Sequence, residues 1–276
     1  MGDLAADTEV FGRDGAYERL LSRDWEIWGP NGGYVASVAL RAAGAHSRFD
    51  RPASIVGHYL GVASFDDPVE LTTTTLRATK RVESIRVSMC QRDQPIFEAL
   101  VWAVGDVDGL EHDATEMPPA PEPTDLLSVQ ERLRDVAENM YHRFWRNFDE
   151  RPLTWIDNWE ARDRQAPNFA SWFRYLPVDT FADQWADACR SLILVDTLPW
   201  PAANRYYVND HGYIAPSIDI AVEFHRFRAE EPWLLAQASA RSAHAGLLGG
   251  HVDVWARTGE LLASGVSQML FRPMRA

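Results

Sequence analysis

A weak internal copy restricts the possible folds of this chain more than any other feature. Moving residues 58–102 forward by 165 positions carries the turn Arg92-Asp93-Gln94 onto Arg257-Thr258-Gly259, and Ile96-Phe97-Glu98-Ala99 onto Leu261-Leu262-Ala263-Ser264. Two stretches on one plan predict a duplicated module. Each half also offers a helix-like segment ahead of its strands, Gly32 to His46 in the first and Thr180 to Asp196 in the second.

With 276 residues, two modules each have enough chain to bury a core. Hydrophobic residues at 46% and charged residues at 24% are ordinary globular values, which argues against a disordered or fibrous chain. The net charge of −13, with no long basic run, speaks against a nucleic-acid partner. Cys90 and Cys189 lie in opposite halves and outside any metal-binding spacing, so neither a disulfide framework nor a zinc site is expected. The acidic start MGDLAADTEV has no signal-peptide pattern, and the apolar run Tyr34 to Ala45 contains Arg41 and is too short to span a bilayer. The expectation is a cytoplasmic soluble protein with no membrane insertion.

After Gly29-Pro30-Asn31-Gly32-Gly33, the run YVASVALRAAGA is apolar nearly all round as a helix and must be enclosed by the core. A curved sheet can enclose it, and SIVGHYLGV, PVELTTTTLRA, RVESIRVSMCQ and PIFEALVWAV have the β-branched and aromatic content of its strands. The acidic, Pro-rich stretch that follows reads as a poorly packing linker over 113–125, separating a module at 1–112 from one at 126–276. Leu126 to Tyr141 reads as helical, Thr180 as the cap of the next helix, and IAPSIDIAVEFHRF, WLLAQASARS, LLGGHVDVWAR and ELLASGVSQMLFR as the second set of strands. Each half is then a helix followed by an antiparallel meander, an α+β arrangement. Residues 147–200 hold five of the eleven tryptophans, which suit an acyl or aromatic pocket, a core or a dimer seam.

Two places could carry chemistry. A buried helix opened by Gly32-Gly33 presents unpaired N–H groups that can hold an oxyanion, although the same dipeptide also suits a tight turn before a core helix. Along Ser217 to Phe224, strand alternation puts Asp219 with Ala221 and Glu223, opposite Ile218, Ile220 and Val222. Both a pocket base and a solvated carboxylate fit that pattern. Subtracting 165 from Asp219 gives Ser54, so the acid occurs in one copy only, and one site per chain is expected. His225 lies about 20 Å along the strand from Asp219, too far to pair with it. No Gly-x-Ser-x-Gly elbow, dinucleotide fingerprint or phosphate-binding loop is present.

The stretches WGPNGGYVASVALRAA, PVELTTTTLRATKRVESIRVSMCQRDQPIFEA, PSIDIAVEFHRF and EPWLLAQASARSAHAGLLGGHVDVWARTGELLAS resemble the acyl-CoA thioesterase II type of double hotdog proteins along almost the whole chain. The resemblance implies two hotdog modules in tandem, each a curved antiparallel sheet around a central helix. It also implies hydrolysis of fatty acyl-CoA by an Asp, a Ser or Thr and a Gln that activate water, without metal or organic cofactor. The Asp carries over to Asp219. The hydroxyl position falls on Arg241 beside Ser242, and the Gln position falls on Ser267 beside Gln268. The implied set is therefore Asp219, Ser242 and Gln268, with the Gly32, Gly33 and Tyr34 amides holding the carbonyl oxygen. A regular strand sends only one of Ser267 and Gln268 toward Asp219: the ungapped match favours Ser267, the donor and acceptor of an amide favour Gln268, and a one-residue bulge near Gly265 would reconcile them. Arg77, Lys80, Arg81, Arg226 and Arg228 are the candidate basic rim for the CoA phosphates. A homo-oligomer, dimer or higher, is expected. The alternative is a non-catalytic acyl-CoA binding protein of the same fold.

Overall fold

The computed structural model describes residues 1–134, 142–159, 161–208 and 211–274. Among the described residues the α-helices are α1 (Leu4–Thr8), α2 (Gly32–His46), α3 (Val129–Arg132), α4 (Gln184–Thr197) and α5 (Pro199–Asn204). The first half supplies strands β1 (Phe11–Arg13), β2 (Ala16–Leu20), β3 (Arg51–Tyr59), β4 (Pro68–Ala78), β5 (Val82–Gln91) and β6 (Gln94–Val104). The second supplies β7 (Phe148–Pro152), β8 (Asn168–Tyr175), β9 (Tyr213–Ile214), β10 (Ser217–Phe224), β11 (Trp233–His244), β12 (Leu247–Ala256), β13 (Leu261–Leu270) and β14 (Arg272–Pro273).

Twelve strands form one antiparallel sheet in the order β1-β2-β4-β5-β6-β3-β10-β13-β12-β11-β8-β7, and the two modules join where β3 pairs with β10. Val56 sits opposite Ala221 there, and the two numbers differ by the repeat offset of 165. Val56 faces its own copy while the pairs on either side of it exchange, as Ile55 with Val222 and Gly57 with Ile220, which places a pseudo-twofold axis through the middle of the sheet. The chain is a double hotdog: the sheet curls around α2 and α4, whose residues are nearly all buried.

The copy slips by one residue beyond the last hairpin. Tyr59 pairs with Phe97 whereas Phe224 pairs with Ala263, so the strand pairs are offset by 165 on one side and 166 on the other. The cause is the turn. Arg92 and Asp93 both take positive φ in a two-residue turn, while the second hairpin closes around three residues with only Gly259 at positive φ. Phe97 therefore matches Ala263, not Leu262 as the ungapped copy suggests.

The helices run antiparallel. A Cβ on Gly33 would lie 2.6 Å from Ile193 Cα near the end of α4, and one on Gly44 would lie 2.7 Å from the ring of Trp185 near its start. Glycine at these two positions is what lets the backbones approach. Two expectations need correcting. α4 is capped by Asp183, whose side chain accepts from the Trp185 N–H, and not by Thr180. The 113–125 stretch is a strap that packs: Met117 and Ala120, with Leu126 just after it, lie on a cluster of Trp172, Trp233, Leu235 and Trp255, and Trp172 Nε1 donates to the Pro121 carbonyl at 2.9 Å. These aromatics face away from the helices, and a cover removes them from water. Of the helix expected over 126–141, α3 is the described part, held by a Ser128–Glu131 capping box, and 135–141 lies outside the described residues.

Candidate active site

The cavity that the two modules build together lies where α2 begins and α4 ends. Asn31 caps α2 by accepting from the Tyr34 N–H at 2.9 Å, and its amide donates to Thr197 Oγ at 3.0 Å, tying the two helix ends together. One residue before Thr197, Asp196 turns its carboxylate onto the start of α2. The Gly33 N–H donates to Asp196 Oδ2 at 2.7 Å, and the Tyr59 hydroxyl donates to Oδ1 at 3.1 Å. Gly32 lies directly beneath, since a Cβ there would be 2.8 Å from Oδ2. Among the described residues no group accepts the Gly32 N–H.

Asp196 is only 4% exposed, and burial raises its pKa against the opposing hydrogen bonds from Ser217, Gly33 and Tyr59. The dipoles divide in the same way, because the positive end of α2 favours the carboxylate and the negative end of α4 does not. A carboxylate held ionised by few partners in a dry place is a stronger base than one in water.

Ser217 reaches this carboxylate because β10 is irregular. The register slips between Ser217, opposite Met269, and Asp219, opposite Gln268, so Ile218 is a bulge. In a regular strand Ser217 and Asp219 would share a face; the extra residue turns Ser217 to the helix side, where it lines the cavity with Met269. The cavity measures about 520 Å³, within the range of small-molecule sites, and its walls include Trp28, Trp145, Trp200, Ile96 and Ile214. Its lining is mostly apolar. Among the described residues, Arg272 is the lining side chain with a permanent positive charge.

The expected set of Asp219, Ser242 and Gln268 is distributed differently. All three stand in one row across the sheet: Ser242 is opposite Gly249, Gly249 opposite Gln268, and Gln268 opposite Asp219. Asp219 and Gln268 are brought together, with the Gln268 backbone N–H donating to Asp219 Oδ1 at 2.9 Å. Ser242 is exposed and three strands away, about 14 Å at ordinary strand spacing. This row alternates with Ile220, Val222 and Ser267, which are buried toward the helices, so it belongs to the other face. Gly265 is in regular register with both neighbours, Val222 and Val252, so the bulge expected there is at Ile218 instead. Ser267 is consequently the residue on the helix side, 2% exposed and with its hydroxyl unpartnered in the protein. It lies two residues along the same face from Met269 of the cavity wall.

Of the expected oxyanion donors, Gly32 and Gly33 are at the site, but the Gly33 N–H is held by Asp196 and the Tyr34 N–H by Asn31. None of the five expected rim cations lines the cavity. Arg226 and Arg228 are paired with Glu260, and Arg226 also with Asp113. Of the tryptophans between 147 and 200, Trp200 is a cavity wall, Trp172 lies under the strap and Trp185 packs between the helices.

The pseudo-twofold axis gives the site a counterpart that lacks its acid. The helix contacts Gly33 to Asp196 and Gly44 to Trp185 exchange under an offset of 152, so Trp185 replaces Gly33 and Gly44 replaces Asp196. β3 carries the matching bulge, between Pro52 and Ser54, and Pro52 replaces Ser217. At these three matched positions the other end has a glycine for the acid, a proline for the hydroxyl and an indole where the site has open backbone.

Sequence profiles of the acyl-CoA thioesterase N-terminal and C-terminal domains match residues 21–104 and 114–271. The chain belongs to the acyl-CoA thioesterase family. Solved structures repeat its fold at low identity. An acyl-CoA thioesterase II from Mycobacterium marinum has a TM-score of 0.76 at 22% identity over 98% of both chains. A TesB protein from Mycobacterium avium subsp. paratuberculosis has 0.77 at 20% over 98% of both. A protein of unknown function with a hot dog fold from Alicyclobacillus acidocaldarius has 0.81 at 18%, over 99% of this chain and 98% of its own.

In this thioesterase-family chain Asp196 is the residue that reading the sequence missed. A signal was present: it is the acid in the otherwise apolar turn Leu192-Ile193-Leu194-Val195-Asp196. The strand offset hides its significance, because 196 minus 165 is Asn31, whereas the helix offset of 152 leads to Gly44 and exposes an acid present in one copy only.

Proposed function

We propose that the protein hydrolyses acyl-CoA thioesters to the free acid and CoA, with Asp196 as the general base. The observation that carries this reading is the buried Asp196 carboxylate set against the Gly32-Gly33 helix start at the wall of an apolar cavity. The acyl group lies among the indoles, and the CoA phosphates lie toward Arg272. The thioester oxygen accepts from the Gly32 N–H at the positive end of α2, where charge on that oxygen is stabilised as it develops. Water held by Asp196 and Ser217 attacks the carbonyl carbon while Asp196 takes its proton. As the C–S bond breaks, the electron pair goes to sulfur and that proton follows it, giving thiol and carboxylic acid.

Thiol release across a panel of aliphatic and aromatic acyl-CoA substrates tests the reading. Asp196→Asn should lower turnover by about 10²-fold to 10⁴-fold, the usual contribution of a general base, with acyl-CoA binding retained. Wild-type rates in a folded Asp196→Asn protein would remove the base from the mechanism. Binding of acyl-CoA with no thiol released by the wild type would instead favour the non-catalytic alternative.

A further inference from the structure

We infer that Tyr59 is a positioning residue for the reaction, its hydroxyl fixing the Asp196 carboxylate in the orientation that receives the proton from water. The inference rests on the reading of Asp196 as the base. Three observations support it. The first is geometric: the Tyr59 hydroxyl donates to Asp196 Oδ1 at 3.1 Å while Gly33 holds Oδ2 at 2.7 Å, so each oxygen has a donor and the carboxylate plane cannot turn. The ring delivering that hydroxyl is itself fixed, packed against Phe97 with centroids 4.8 Å apart, and a Cβ on Gly57 would meet the same Phe97 ring at 2.3 Å.

The second observation is the repeat. Tyr59 lies on β3, and 165 residues later the matching position on β10 is Phe224. The copy that has Gly44 in place of the acid therefore has a ring without a hydroxyl. The copy that keeps the acid keeps the phenol. Phe224 also shows that the fold accepts phenylalanine at this position, so Tyr59→Phe removes one oxygen and leaves the packing shape unchanged.

The third is electrostatic. Asp196 is met by the Gly33 N–H from α2 and the Tyr59 hydroxyl from β3, with Ser217 of β10 beside it, and all three favour its ionised form against burial. Burial above all, then the adjacent Asp196 and last the charge of Asp219 on β10 keep the Tyr59 phenol protonated, hence a donor, far above neutral pH. Arg272 and His142 are the other charged or titratable side chains on the cavity wall. Loss of the Tyr59 bond removes one of three supports for the anion, which moves the titration of Asp196 upward.

The experiment is a pH profile of kcat/KM and kcat for wild type, Tyr59→Phe and Asp196→Asn, with thiol release from one acyl-CoA that the wild type turns over. Tyr59→Phe should lose activity mainly in kcat, and about tenfold more at the acid end of the profile than at the alkaline end, because the acid limb shifts to higher pH. A Tyr59→Phe profile superimposable on wild type, or a loss confined to KM at every pH, would overturn the inference and leave Asp196 in place provided Asp196→Asn is inactive. A fully active Asp196→Asn would overturn the base assignment and the role of Tyr59 with it.

Discussion

A single methyl group at the helix crossing should separate what the site needs from what the fold needs. Gly33→Ala places a Cβ 2.6 Å from Ile193 Cα and 3.0 Å from Asp196 Cβ, both atoms that move only with α4 itself. The helices must part by roughly 1 Å to restore ordinary contact, and overpacking of this kind costs about 1–3 kcal/mol. Alanine's better helix propensity returns at most about 1 kcal/mol. For a chain of this size the net effect is a fall in Tm of about 2–5 °C. The same displacement carries the Gly33 N–H away from Asp196 Oδ2, now 2.7 Å distant, and a 1 Å misplacement at a reacting centre costs about 10²-fold in rate. Gly32→Ala is the control, because its Cβ would meet carboxylate oxygens at 2.8 and 3.0 Å and no backbone. It should slow thiol release about tenfold or more while Tm changes little. Differential scanning calorimetry and the thiol assay on both variants decide the matter. A Gly33→Ala protein as stable and as fast as wild type would refute the close helix approach and the tie between packing and catalysis.

Glu150 gives a pH signature that is independent of turnover. Burial lifts its pKa from 4.5 to about 8, so the native state holds a proton there that the unfolded chain releases, and stability contributed by this group falls as pH rises through that interval. The total is up to about 5 kcal/mol at roughly 1.4 kcal/mol per unit. Glu150→Gln should therefore gain on wild type progressively between pH 5 and 8 in urea unfolding, and a pH-independent difference would contradict the burial. Asp219→Asn should cost turnover far less than Asp196→Asn, and Ser242→Ala should be silent in the thiol assay. Equal losses at 219 and 196 would return the base to β10.

Composition suffices to read β3–β6 and β10–β13, because β-branched and aromatic runs between turn residues leave few choices, but not the edge strands β1, β2, β7 and β8; Val56 facing Ala221 reproduces the repeat offset read from the sequence. The Gly32–His46 helix was equally legible from its uniformly apolar surface. The site was less so, for two local reasons. The bulge at Ile218 turns Ser217, though not the rest of β10, to the helix side, and alternation counted along the sequence cannot detect an extra residue. The connections also differ in length between the copies, so helices and strands repeat with different offsets, and the strand offset sets the acid on α4 against Asn31 when its structural counterpart is Gly44. What a sequence shows poorly is contact between distant segments, and Asp196 acquires its meaning from Gly33 and Tyr59, 163 and 137 residues away.

The strap over Trp172, Trp233, Leu235 and Trp255 bears on how the chain is made. Residues 113–126 leave the ribosome before β8, β11 and β12, so the cover precedes the surface it will close. Each of these sticky strands emerges with its own protecting segment already tethered upstream, at high local concentration. A second half begun after Leu126 would have to fold with three indoles bare, and it should aggregate where one begun at Asp113 stays dispersed. The stretch that looks expendable between two homologous halves thus serves as a built-in escort for the later one.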